Sequence, residues 1–234
     1  MRLPLAIVKT HRWIGLIVGL QVVLWISGGL VMSALSIDKV RGADRARTAP
    51  PLAVPVDAVL VSPTAAAAAL GDSAIGGAAL ARRLDRVAWI LETADGRTAV
   101  DAVTGDRLPD LTADEARAVA AADYAGTVDI RAVSLRTAPS LETRGRDLPL
   151  WRVDFADGRR TTVYVDPLTG AIAARRNTLW RVYDVFWMLH IMDYRERESF
   201  NHPLLVGSAA AAWLLAASGA WLVVNWLRRR ARRS

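Results

Sequence analysis

The 234-residue sequence has no cysteine, which removes three chemistries together: disulfide cross-links, thiolate metal ligands and cysteine-attached c-type haem. Histidine is scarce too, with only His11, His190 and His202. None of them sits in a His-x-x-His or His-Glu-x-x-His spacing, so no zinc-hydrolase site, nor any other metal site, is expected. No serine-nucleophile motif, phosphate-binding glycine loop or paired-carboxylate signature occurs, and no catalytic residue is assigned. Acidic residues are missing from both ends, since all 23 lie between Asp38 and Glu198. Two long stretches, Trp13 to Ile37 and Pro203 to Leu227, carry no charged side chain at all.

What fills those stretches is apolar, and each exceeds the roughly 20 residues that cross a bilayer as a helix. Trp13, Trp221 and Trp226 stand towards their ends, where amphipathic indoles favour the headgroup level; Trp25 and Trp213 do not follow that pattern. The first stretch is longer than the signal-peptide core of about 7 to 15 residues and has no convincing small-x-small cleavage site, so it is expected to remain as a span. The net charge of +7 is concentrated beside the spans. Arg2, Lys9 and Arg12 precede the first, and Arg228, Arg229, Arg230, Arg232 and Arg233 follow the second. With those 8 of the 30 basic residues set aside, the middle has 22 against 23 acids, a net of −1, and no basic surface for nucleic acid. Flanking cations are retained in the cytoplasm, which predicts cytoplasmic termini and a periplasmic middle.

That middle begins with residues 38–56 as an extended tether carrying Pro50, Pro51 and Pro55. Two related segments come after it, "AWILETADGRTAVDAVTGDRL" from Ala88 and "LWRVDFADGRRTTVYVDPLTGAI" from Leu150. Each reads as a β-hairpin. In the second, Trp151, Val153 and Phe155 share one face, Arg152, Asp154 and Ala156 share the other, and Asp157-Gly158 is expected to supply a positive-φ turn. The return strand alternates through Thr162, Tyr164 and Asp166, and Asp166-Pro167-Leu168-Thr169-Gly170 makes a further turn. A helix precedes each hairpin: "SPTAAAAALGD" before the first, and Thr112 to Tyr124 before the second, opened by a Thr112–Glu115 capping box. Trp89 and Trp151 are expected at matching buried positions.

A helix followed by W-x-V-x-F-x-D-G and V-Y-V-D-P-x-T-G resembles the PepSY domain. "HRWIGLIVGLQVVLWISGGL" resembles the PepSY-associated transmembrane helix, and "LWRVYDVFWMLHIMDY" resembles the amphipathic segment before the next span in that family. The likeness covers nearly the whole chain, although the first hairpin lacks the proline and has a shorter return strand. The resemblance implies a bacterial inner-membrane protein. Larger members act in ferric-siderophore reduction or related redox work, some with haem held by histidines; other PepSY proteins are thought to inhibit peptidases. With two spans, fewer than the larger members, this chain is not implied to hold a complete electron path across the membrane.

The expected fold is therefore an α+β membrane protein. Residues 1–37 form the cytoplasmic N-terminus and first span, 57–111 a divergent PepSY-like repeat and 112–176 a second. Residues 177–200 form an interfacial amphipathic helix and a charged elbow, and 201–234 the second span and basic tail. Trp180, Tyr183, Asp184, Trp187, Ile191 and Tyr194 recur at helical spacing over 178–194, and Asp184, Asp193 and the Arg195–Glu198 run make that helix too polar to cross the bilayer. Trp187 and Tyr194 are placed beside His190, with Asn201 as cap and Pro203 in the first turn of the second span.

His190 and His202 then belong near the outer leaflet and His11, between Lys9 and Arg12, near the inner one, roughly 35 Å away at 1.5 Å per residue. A b-type haem, the one cofactor entertained, can draw on His190 with His202 or on histidines of two protomers. His11 is the weaker candidate. The competing role for each histidine is structural: a hydrogen bond to a carbonyl or carboxylate, or contact with headgroups. Gly15 and Gly19 on the first span, and Ser208, Ala212, Ala216 and Ala220 on the second, make small-residue rows for close helix packing. "ADGRR" and "RRNTLW" give an arginine-rich surface open to acidic siderophores, headgroups or solvent. The leading function is an accessory or binding component in iron (siderophore) or redox handling. The alternatives are a b-type haem electron carrier and a peptidase-regulating binding module. The expected partners are membrane lipid and a second copy or another inner-membrane redox or iron-uptake protein.

Overall fold

The computed structural model describes residues 5–48, 52–54 and 57–232. Pro50, Pro51 and Pro55 of the expected tether, and Arg2 and Arg233 of the basic flanks, lie outside the described residues. The chain divides into two compact units, Ile37–Trp180 and the residues on either side of it.

The second of these is helical. Helix α1, Leu5–Ala34, and helix α6, Pro203–Ala231, contain the two segments long and apolar enough to cross a membrane, His11–Ala34 and Pro203–Ala231. Helix α5, Thr178–Ile191, leads into α6.

The Ile37–Trp180 body opens with a short helix α2, Ile37–Arg41, and contains two four-stranded antiparallel sheets, each with one helix. In the first lobe Ser62 caps helix α3, Pro63–Ala69, accepting from Ala65 N at 3.2 Å, with proline in the first turn where its missing N–H costs nothing. Strands β1 (Gly77–Arg83), β2 (Arg86–Thr93), β3 (Gly96–Asp101) and β4 (Arg107–Leu108) pair in order. Ala66 and Ala67 of α3 close on Leu91 and Val100, with Val61, Leu70, Ile75 and Trp89 around them.

In the second lobe the predicted capping box forms on helix α4, Ala113–Asp123: Glu115 N donates to Thr112 Oγ1 at 3.3 Å, and Thr112 N donates to Glu115 at 2.8 Å. Strands β5 (Ile130–Arg136), β6 (Leu150–Phe155), β7 (Thr162–Val165) and β8 (Ile172–Arg176) again pair in sequence order. Leu111, Ala116, Ala120 and Tyr124 pack on Val153, Phe155, Val163 and Val165, with the Tyr124 and Phe155 rings stacked 4.4 Å apart. Burial, reinforced by a 2.7 Å hydrogen bond from its hydroxyl to Glu142, pushes the Tyr164 phenol above its ordinary range. The sheets are thus larger than the expected hairpins, because β1 and β4, and β5 and β8, flank them.

The two lobes share a local design. Trp89 Nε1 donates to Val61 O at 2.8 Å, and Trp151 Nε1 donates to Leu111 O at 2.7 Å. Those carbonyls belong to the residue just before each helix cap. The same two residues donate their own N–H to the turn after the hairpin, Val61 to Ala102 O and Leu111 to Pro167 O. Each turn is held by an aspartate: Asp101 Oδ1 accepts from Val103 N and Thr104 N, and Asp166 Oδ1 from Leu168 N and Thr169 N. Gly105 (φ +82°) and Gly170 (φ +73°) complete them in the left-handed conformation. Both tryptophans are half-buried rather than buried, each packed against the core cluster of its own lobe.

The hairpin turns differ. In the first, Gly96 takes φ +117°. In the second, the left-handed residue is Arg160 (φ +52°), not Gly158. The loop is longer there and closes around the Asp157 carboxylate, which accepts from Thr161 N at 2.8 Å, Thr161 Oγ1 at 2.5 Å and the Tyr124 hydroxyl at 3.0 Å. Burial works to raise the Asp157 pKa, but these donors outweigh it and hold the carboxyl below its ordinary value.

Candidate functional site

The chemistry-bearing residues of the membrane unit gather in the elbow between α5 and α6. Helix α5 stops at Ile191, short of the expected 194, because Met192 turns into the left-handed region at φ +57°. Tyr194 is therefore off the helix and half exposed, and does not stand beside His190. The Asp193 carboxylate organises the elbow from Arg195 to Ser199. Its Oδ1 accepts from Arg195 N (3.2 Å) and Glu196 N (3.1 Å), and its Oδ2 from Glu198 N and Ser199 N (3.1 Å each). The Ser199 N–H, with the other three, holds the Asp193 carboxyl well below the usual carboxylate range.

The charged run is tied to α5 as well. Arg197 pairs with Asp184 of that helix, which is only 4% exposed, and Trp187 Nε1 donates to Arg197 O at 3.0 Å. Phe200 meets the Trp187 ring edge-on at 5.3 Å. The sequence contained Asp184, Asp193 and Arg197 as polar residues but no signal of these roles, because each depends on how the elbow closes.

The three histidines occupy different environments. His202, not Asn201, is the N-cap residue of α6, and its side chain makes no capping bond. Its Nε2 instead lies 2.9 Å from Ile191 O. A carbonyl only accepts, so that nitrogen carries the proton and donates it, and a protonated nitrogen ligates no metal. His190 is half-buried on α5, with Nδ1 enclosed and without a hydrogen-bond partner among the described residues. His11 Nδ1 lies 2.7 Å from Ser218 Oγ on α6, and the Ser218 hydroxyl donates to Leu215 O at 2.9 Å, so the His11 nitrogen is the donor in the first bond.

His11 thus binds helix to helix. Ser218 stands nine residues before Leu227, roughly 14 Å along α6 at 1.5 Å per residue, so the ring meets the apolar part of that helix rather than its arginine tail. The imidazole also lies over Gly219, where a Cβ would approach its Cε1 to 3.3 Å.

The seam between α1 and α6 uses some of the expected small residues. A Cβ added at Gly15 would lie 3.5 Å from Leu215, whereas one added at Gly19 would meet nothing within 4 Å. Val18 and Gln21 of α1 line a groove of about 410 Å³ with Met192, Leu204, Gly207, Ser208 and Ala211. The α6 face in use therefore runs through Ser208, Ala211, Leu215 and Ser218. Ala212 is half-buried, and Ala216 and Ala220 are exposed. A strict four-residue row drifts about 40° per step at 100° per residue, and over three steps it rotates out of the seam. On α1, a Cβ added at Gly28 would lie 3.7 Å from Phe186 O, so α5 packs against the C-terminal half of α1 as well as leading into α6.

A haem held by His190 and His202 would have to use the ring nitrogen that each histidine leaves open. His202 Nε2 is committed to a carbonyl, and no histidine lines the groove. Donation from Nε2 leaves Nδ1 as the lone-pair nitrogen of His202, and His190 Nδ1 has no hydrogen-bond partner among the described residues. Among the described residues no group of three or more His, Asp or Glu side chains is placed to hold a metal ion.

A family model described as the PepSY-associated TM region matches residues 8–234. Comparison with curated proteins and with solved structures gives no match.

Proposed function

The chain belongs to the PepSY-associated transmembrane family, and from that premise we propose that it is an inner-membrane accessory or binding component in iron (siderophore) or redox handling. Both termini are cytoplasmic in this reading, and the Ile37–Trp180 body is a periplasmic pair of PepSY-like repeats. The observation that supports a binding role is the duplicated lobe. Asp101, Asp157 and Asp166 all hold turns, and Asp154 accepts from Thr162 Oγ1 at 2.6 Å and from Arg152 Nε at 2.9 Å. Carboxylates committed in this way build rigid surfaces rather than acid–base pairs. The arginines that end α6 support the direction of the chain across the membrane.

Reporter fusions at Ser234 are expected to behave as cytoplasmic and a fusion beside Ala120 as periplasmic; a periplasmic C-terminus would overturn the topology. The function itself is tested by growth. A strain lacking the protein is expected to grow more slowly than its parent on a ferric siderophore as sole iron source, to be restored by the full chain, and to match its parent on ferrous iron. Equal growth of both strains on the ferric source sinks the iron reading.

A further inference from the structure

The groove between α1 and α6 joins an apolar wall to one amide. Val18 and Gln21 of α1, Met192, and Gly207, Ser208 and Ala211 of α6 line it, and all belong to the helical unit. Its volume of about 410 Å³ falls within the range of small-ligand pockets, about 300 to 1,000 Å³. At Gly207 an added Cβ would meet nothing within 4 Å, so a larger side chain there has room to enter the groove without displacing protein.

The amide is unmatched. Gln21 Nε2 is enclosed and has no hydrogen-bond partner among the described residues, and Trp25 Nε1, one turn further along the same side of α1, is in the same condition. Both are N–H donors, and the indole nitrogen is a donor only. They stand on a helix with the length and composition of a span, where the surrounding hydrocarbon offers no water to take their place. What satisfies such donors is an oxygen acceptor delivered from the lipid phase, and rotation of the flexible Gln21 side chain brings its amide to one seated in the groove.

Depth decides which acceptor. Met192 and Pro203 flank the elbow, whose Arg195, Glu196 and Glu198 are exposed, and charges of that kind belong at the headgroup level. His11 bonds Ser218 and Gly15 stands beside Leu215, so α1 and α6 run antiparallel and Gln21 lies level with about Ser208. Ser208 is roughly 8 Å inside the start of α6 at 1.5 Å per residue. The headgroup layer is itself about 5 to 8 Å deep, which puts the Gln21 amide where glycerol esters meet the hydrocarbon. We propose that the groove binds one acyl chain of a glycerolipid, its ester carbonyl accepting from Gln21 Nε2, with Trp25 Nε1 the donor for the second ester of the same molecule. The site rests on the two spans and not on the proposed role in iron handling.

The test uses the full chain in a neutral detergent and native mass spectrometry with two probes, diacyl phosphatidylglycerol and its dialkyl ether analogue of the same chain length, which lacks the carbonyls. The ester lipid is expected to bind at least about fivefold more tightly than the ether, the worth of one hydrogen bond. Gln21→Leu is expected to reduce that preference about fivefold. Gly207→Leu fills the groove and is expected to weaken both lipids about tenfold or more, and the open space beside Gly207 keeps this variant folded. Equal binding of ester and ether by the wild type overturns the carbonyl recognition, and unchanged binding in Gly207→Leu overturns the groove. A membrane quinone that displaces the ester lipid from the wild type, and itself binds more weakly to Gln21→Leu, overturns the glycerolipid as occupant.

Discussion

Replacing Trp151 by alanine is expected to destabilise the Ile37–Trp180 body by about 3 to 5 kcal/mol, the range for removing a large aromatic side chain from a packed site. For a body of this size that lowers Tm by on the order of 10 °C. The loss has two sources. The indole packs against the core of the second lobe, and its Nε1 donor satisfies Leu111 O just before the helix cap. Trp151→Phe separates them, because it retains most of the apolar contact and gives up the hydrogen bond. Its cost should be near 1 kcal/mol if Leu111 O finds water. Trp89→Ala should reproduce the alanine result through Val61 O. Thermal unfolding of the body checks all three, and an unchanged Tm for Trp89→Ala would mean that the first lobe does not depend on the packing of its helix–sheet seam.

Arg197→Ala carries the other large effect. Asp184 is buried against the Arg197 guanidinium, and removing one member of a buried pair costs about 3 to 5 kcal/mol because the other charge keeps its desolvation penalty. The loss should stay local to the elbow. Amide exchange at Arg195, Glu196, Glu198 and Ser199, whose N–H groups are held by Asp193, is expected to accelerate at least about a hundredfold. Arg195→Ala, on the same run but outside this pair, is the control and should leave those amides protected. Unchanged exchange in Arg197→Ala would show that Asp193 alone sustains the elbow.

The features legible in the sequence are those decided by a few neighbouring residues. The Thr112–Glu115 capping box, the Asp101 and Asp166 turns and their glycines depend on side chains within five positions, and they form as their chemistry dictates. The spans are equally local, being runs of apolar residues. The flanking strands were harder to see. β1 reads Gly-Ala-Ala-Leu-Ala-Arg-Arg, with low strand preference, and β5 loses its alternation at a bulge between Ile130 and Ala132. The site was less legible still. Whether a histidine nitrogen is free depends on which carbonyl or hydroxyl the fold brings to it: Ile191 O lies 11 residues from His202, and Ser218 lies 207 from His11. The Gly15 contact and the α6 face it meets are set by how two helices slide past one another, which no single helix encodes.

One asparagine fastens the two ends of the body together. Asn177 Nδ2 donates to Lys39 O at 2.9 Å, while its Oδ1 accepts from Trp180 N at 2.8 Å and so caps the start of α5. Gly42, at φ +70°, lets the incoming chain pass so close to Arg175 that a Cβ there would meet its Cβ at 3.3 Å. Entry and exit are thereby stapled side by side, which is the geometric condition for an inserted cassette. Whatever is lengthened, shortened or exchanged between Gly42 and Arg175 leaves the two junctions where they are. The staple, rather than the lobes, fixes where the chain enters and leaves the body.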